Sequence, residues 1–235
     1  MWRRARLCLP PKAARRWSLW HARMVICMDS VVTCKRSYSR HPSRASRTQR
    51  APLTKEGTRF LPGTQGGTTW YGSSYSPPLN ALFVPAIDWA TTIKMGGPED
   101  LKKEPGKPFI GSANAFGDQD PKNQRFGHIT AVDADRGKVL WKYDAKTAMV
   151  AAVTPTAGGV LFSADTTGNF FAFNAADGHI LLEKEMGDPI GGGIITYMLR
   201  GTQYVAVAGG MKNGIVQTQS GPAWVAIFAL SDREH

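Results

Sequence analysis

An all-β fold of repeated antiparallel sheets is what this 235-residue sequence predicts, and three observations carry the prediction. The stretch Gly127-His-Ile-Thr-Ala131-Val-Asp133-Ala-Asp-Arg-Gly137-Lys-Val-Leu-Trp141 recurs as Gly168-Asn-Phe-Phe-Ala172-Phe-Asn174-Ala-Ala-Asp-Gly178-His-Ile-Leu-Leu182, with four matched positions at one offset of 41 residues. Segments 75–84, 154–162 and 200–207 each place a Pro, Gly or Asn turn directly before an apolar run. Phe162 and Tyr204, in two of those runs, are 42 residues apart. Short strands on a period of about 40–50 residues are the mark of a β-propeller, whose blades are four-stranded sheets.

The elements follow in chain order. Tyr75-Ser-Pro-Pro-Leu-Asn80 is a turn feeding the strand Ala81–Val84, and Gly158-Gly159 and Arg200-Gly201 play the same part in the next two units. Such turns need Gly, Asn or Pro for their dihedrals. Phe83 and Phe162 are 79 apart, one period plus an insertion. The insertion is residues 94–125, rich in Gly, Pro, Lys, Glu and Asn and without a strand pattern, and it reads as a surface excursion. Within the repeat, alternation along Ile129, Ala131 and Asp133 marks a strand. Asp133 to Gly137 supplies the turn. Trp141 on the next strand carries a ring large enough to fill the gap between blades. Three units result, at about 62–143, 147–184 and 188–230.

Charge separates the chain into two parts. The formal net charge is +11, yet residues 1–59 hold 15 Lys and Arg against 2 acidic residues. The remaining 14 basic and 16 acidic residues leave the repeat region near neutral, so its surface is not a nucleic-acid footprint. Cys8, Cys27 and Cys34 all lie in the basic segment, and their spacing fits no zinc site. Segment 1–59 lacks periodicity and reads as a disordered tail or a mis-set gene start, with an organelle leader or a nucleic-acid arm as alternatives. The apolar stretch 17–32 is interrupted by His21, Arg23 and Asp29, so no convincing signal peptide is present, and no run reaches membrane-spanning length. The domain expectation is therefore 1–59 basic segment and 60–235 propeller blades.

The run Pro62-Gly-Thr-Gln-Gly66-Gly67-Thr-Thr-Trp70-Tyr-Gly-Ser-Ser-Tyr75-Ser-Pro77, followed by Leu82-Phe-Val-Pro-Ala-Ile-Asp88-Trp89, is similar to the later blades of quinoprotein alcohol dehydrogenases. These are eight-bladed propellers that bind pyrroloquinoline quinone (PQQ). The Ala-x-Asp-x-x-x-Gly-x-x-x-Trp spacing resembles their tryptophan-docking repeat, and Gly187-Asp-Pro-Ile-Gly191-Gly-Gly-Ile-Ile-Thr-Tyr197 with Gln203-Tyr-Val-Ala-Val resembles the closing blade. The resemblance covers about 61–230.

The resemblance implies PQQ held with Ca²⁺ or a lanthanide on the propeller axis, an aspartate base, an alcohol substrate, a cytochrome-type electron acceptor and a periplasmic location. Trp70 matches a position that approaches the cofactor. Thr69 stands where the family usually has Asn. Gly191 and Gly192 match a loop near the axis. A buried core Trp and an ordinary glycine turn are the structural alternatives. The family's metal ligands and catalytic aspartate come from earlier blades and have no equivalents here, so the expectation is a C-terminal portion with cofactor contacts and no activity by itself. Asp88 beside Trp89 reads as a strand end on the rim, and His128 and His179 as surface or turn residues. A non-enzymatic scaffold built from the same repeat is the alternative function; tryptophan–aspartate propellers fit less well, because no Trp-Asp pair follows Gly127-His128 at the strand end.

Overall fold

The computed structural model describes residues 51–68, 70, 72–100, 102–106, 109, 112–114, 116–210, 212, 218 and 222–229. The first fifty residues, and with them the expectation of disorder there, lie outside that set, as does Thr69.

Among the described residues, fourteen strands form four antiparallel sheets: β1 (Thr58–Phe60), β2 (Ser74–Ser76), β3 (Ala81–Asp88), β4 (Thr91–Ile93), β5 (Asp118–Gln119), β6 (Phe126–Asp133), β7 (Val139–Ala145), β8 (Thr154–Pro155), β9 (Val160–Ala164), β10 (Asn169–Asn174), β11 (Ile180–Glu185), β12 (Ile194–Leu199), β13 (Thr202–Gly209) and β14 (Trp224–Ala229). The first blade runs in the order β2-β3-β6-β7 and the second β8-β9-β10-β11. The third presents three strands among the described residues, β12-β13-β14. The sequence offsets hold in register, because Phe83, Phe162 and Tyr204 lie on the second strands of successive blades.

Insertion 94–125 departs from the expectation of a strandless loop. Its tail contributes β5, which pairs with β4, and β4 pairs with β1, giving a small fourth sheet. The β-branched run Thr91-Thr92-Ile93 favours extended backbone. Asn114 then clamps the excursion, donating from Nδ2 to the Thr92 carbonyl at 3.0 Å and accepting from the Lys94 amide at 3.1 Å.

Blades stack through alternate faces of their strands. Phe83, Ile129 and Ala131 of the first blade bury against Phe171 and Phe173 of the second. The opposite face of the second blade carries Phe170 and Ala164, which pack with Ile194, Val207, Trp224 and Phe228 of the third. Full burial of such side chains contributes about 1.5–3 kcal/mol each. Trp141 fills the gap it was expected to fill: its Nε1 donates to the Ala175 carbonyl of the next blade at 3.0 Å. Its ring covers Gly178, where a Cβ would stand 2.7 Å from the indole, and the φ of +78° there also selects glycine.

Candidate functional site

The inner strands of the three blades, β2, β8 and β12, are tied side by side. Ser74 Oγ donates to the Val153 carbonyl, Thr154 Oγ1 donates to the Ile194 carbonyl at 2.6 Å, and the Ala152 amide donates to the Gly192 carbonyl at 3.2 Å. These bonds place the starts of all three inner strands at one end of the stack. The candidate residues lie there: Trp70 four residues ahead of β2, and Gly191–Gly192 just ahead of β12.

Trp70 is 52 % exposed, which removes the core-tryptophan alternative. The segment leading to it is held against the end of β3 by reciprocal backbone bonds between Gly67 and Ile87, at 2.8 and 3.0 Å. Two residues before Trp70, the Thr68 hydroxyl oxygen is buried and has no hydrogen-bond partner among the described residues. An unmatched buried hydroxyl is costly unless something else satisfies it. Gly192 has a structural reason of its own: a Cβ there would stand 2.8 Å from the Ala208 Cβ on β13. At Gly193, by contrast, a Cβ would meet open space.

His128 corrects the sequence reading. It is buried in the middle of β6, and its Nδ1 lies 2.6 Å from Asp88 Oδ2. The pairing arises because Asp88 faces Phe126 across the β3–β6 ladder, which brings the Asp88 side chain beside that of His128 on the same face. Burial pushes the Asp88 carboxyl up, but the hydrogen bond and charge of His128, with Lys142 nearby, outweigh it and hold it below the usual carboxylate range. His179 does lie at a turn, where its amide donates to Asp177 Oδ1 at 2.9 Å.

Arg125 was missed by sequence reasoning. It is buried at the same end of the first blade, with Nη2 donating to Thr166 Oγ1 at 3.3 Å and the guanidinium 5.5 Å from the centre of the Trp89 ring. Thr166 Oγ1 lies 2.9 Å from Thr147 Oγ1, which joins the first blade's exit to the second blade's loop. Nε and Nη1 of Arg125 have no partner among the described residues, and burial lowers its pKa from the ordinary arginine value. A lone Arg at the end of a loop carries no periodic signal, so nothing in the sequence marked it.

This end carries an exposed indole, an unmatched hydroxyl and a glycine loop with one open position, groups able to offer stacking, a hydrogen bond and backbone approach. Among the described residues, no group of three His, Cys, Asp or Glu side chains converges. No helix among the described residues is long and apolar enough to cross a membrane.

Comparison with known proteins decides the family. The PQQ profile described as the glucose/ethanol/alcohol dehydrogenase β-propeller domain matches residues 28–205. The chain belongs to that family. It is similar to part of the propeller of quinoprotein alcohol dehydrogenases. The match begins upstream of residue 60, inside the basic segment. The quinohemoprotein alcohol dehydrogenase of Comamonas testosteroni is 31% identical over 187 residues, covering 74% of this chain and 26% of that protein. A 1-butanol dehydrogenase (cytochrome c) of Thauera butanivorans is 27% identical, with the same two coverages. The crystal structure of the Comamonas testosteroni enzyme superposes with a TM-score of 0.58 at 26% identity, over 82% of this chain and 30% of that one. The chain thus spans about a quarter of the length of the curated relatives it matches.

Proposed function

We propose that this quinoprotein portion supplies one wall of a PQQ site in an alcohol-oxidising propeller, and that by itself it does not turn over alcohol. The observation that carries the reading is the exposed Trp70 ring at the common end of the inner strands, beside the unmatched Thr68 hydroxyl. Trp70 would stack on the flat cofactor; Thr69, named beside it by the resemblance, lies outside the described residues. Gly191 would let a flat ligand approach backbone, and Gly193 adds the open position on that loop. Gly192 holds the loop against β13. The quinone held there by Trp70 and the Gly191 loop would supply a hydride acceptor for alcohol oxidation.

The groups that would hold Ca²⁺ or a lanthanide and act as base belong, on this reading, to other blades of the complete propeller. The similarity to a cytochrome c-linked butanol dehydrogenase supports a cytochrome as electron acceptor, and the family supports a periplasmic setting. The boundary near residue 60 is likewise proposed as the start of the described blades.

The test is titration of the full chain with PQQ in the presence of Ca²⁺, read by tryptophan fluorescence, beside Trp70→Ala. Saturable quenching that is lost in the variant supports the reading. A folded, strand-rich protein that shows no quenching overturns it in favour of a scaffold without cofactor. Alcohol-dependent dye reduction by the isolated chain would overturn the inactivity.

A further inference from the structure

The excursion between β3 and β6 returns to the segment that carries Trp70, and the two meet on one side chain. Thr91 of β4 is fully buried. On one flank stands Gly63, where a Cβ would come 2.0 Å from Thr91 Oγ1; on the other stands Gly117, where a Cβ would come 2.3 Å from Thr91 Cγ2. Both approaches therefore need glycine, one on the way to Trp70 and one near the end of the excursion. The polar atoms form a chain that runs one way. Thr91 Oγ1 donates to Gln119 Oε1 at 2.7 Å, Gln119 Nε2 donates to Thr64 Oγ1 at 3.2 Å, and Thr64 Oγ1 donates to the Phe116 carbonyl at 2.5 Å. The Thr64 amide closes the network by donating back to Thr91 Oγ1 at 3.2 Å. Gln119 stands opposite Thr91 in the β4–β5 register, so strand pairing itself aims the amide at the hydroxyl.

We propose that Thr91 and Gln119 are positioning residues for Trp70: through Thr64 they make excursion 94–125 set where the loop delivers the indole. The consequence for cofactor binding rests on the reading of Trp70 as a PQQ contact; the linkage itself does not. Beyond Thr64 the chain turns, the Gly66 amide donating to the Gly63 carbonyl at 3.0 Å, and Gly67 then pairs with Ile87. A Cβ at Gly66 would stand 2.5 Å from the Pro62 Cβ and 3.0 Å from the Ile87 carbonyl oxygen, so this turn is tight. A tight turn passes a displacement of Thr64 on to the residues that follow it. Trp70 is half exposed, so packing holds only part of its ring and the backbone must set the rest of its orientation. Stacking on a flat ligand needs that orientation fixed beforehand, because ordering it on binding weakens affinity. The excursion is then a brace for the candidate site, and β5 is the part of it that bears on Thr91.

The measurement is made on the full chain labelled with fluorotryptophan, for the wild type, Thr91→Val and Thr91→Ser. The Trp70 fluorine resonance is the one absent from Trp70→Phe, and the Trp141 resonance, assigned in the same way, serves as reference. Thr91→Val keeps the shape of the side chain and deletes the hydroxyl. It should shift or broaden the Trp70 resonance and leave that of Trp141 in place, whereas Thr91→Ser should keep the wild-type position. A Trp70 resonance unmoved in folded Thr91→Val overturns the proposal, because loss of stability alone would spare it. In titrations with PQQ and Ca²⁺, affinity read by quenching should weaken about three- to tenfold in Thr91→Val, the worth of one hydrogen bond, and recover in Thr91→Ser. Equal affinity in the wild type and Thr91→Val overturns the proposal as well. A wild type that PQQ does not quench removes the cofactor reading and leaves the linkage to the fluorine comparison. Should Thr91→Val fail to fold, Thr64→Val at its exposed position takes its place under the same criteria.

Discussion

The indole nitrogen of Trp141 is bonded to the carbonyl of Ala175, three residues before the glycine that its ring covers. One side chain thereby fastens the outer strand of one blade to the turn of the next. Trp141→Ala removes the ring and the hydrogen bond together and should cost about 3 kcal/mol in urea unfolding. Gly178→Ala should cost a comparable amount, through its positive φ and the clash with the ring. In the double variant the two losses should fall short of their sum, because the clash disappears with the indole.

The Asp88–His128 pair makes stability depend on acid. The folded Asp88 carboxyl lies below its unfolded value, so its contribution is present above the unfolded carboxylate pKa and is lost as pH falls through the lowered folded value. Urea midpoints taken from neutral pH down to the acid range should therefore fall, and Asp88→Asn should flatten that fall. At neutral pH the same substitution should cost about 1–3 kcal/mol, since His128 loses an ionised partner.

Arg125 should be replaceable. A buried guanidinium with two unmatched nitrogens keeps much of its desolvation cost, and a single bond to Thr166 and a contact with Trp89 offset only part of it. Arg125→Met, which fills similar volume, should leave stability unchanged or raise it by about 1–2 kcal/mol in thermal unfolding. A loss larger than 2 kcal/mol would mean that the guanidinium has a partner beyond Thr166 and Trp89.

Trp70 should separate ligand binding from folding. Its ring is about half exposed, so Trp70→Ala should cost no more than about 1.5 kcal/mol in urea unfolding. A change well beyond that would make loss of quenching in the same variant uninformative about a cofactor.

Much of the blade architecture was legible because each feature has a local cause. Gly137 and Gly178 stand where the turn requires positive φ, and Phe83, Phe162 and Tyr204 recur because equivalent strands repeat their spacing. The small sheet escaped notice because β5 is two residues long, too short to show alternation, and the loop before it is set by Asn114 bonds that no pattern announces. His128 reads as an ordinary strand residue until Asp88, 40 positions earlier, is brought beside it by the β3–β6 pairing. At the candidate site, Trp70 could be picked out by its resemblance. The unmatched groups of Thr68 and Arg125 could not, since burial without a partner is a property of the folded packing alone.

The insertion between β3 and β6 also bears on the order in which the chain folds. Within the second blade, Ala164 meets Phe170 across a turn of a few residues, whereas the first blade must bring Asp88 to Phe126 around the whole excursion. Closing the longer loop costs about 1.6 kcal/mol more chain entropy, and contacts distant in sequence form late. The middle of the chain should gain amide protection first in a refolding pulse. The earlier blade then docks onto a neighbour already in place, with Trp141 as its last fastening.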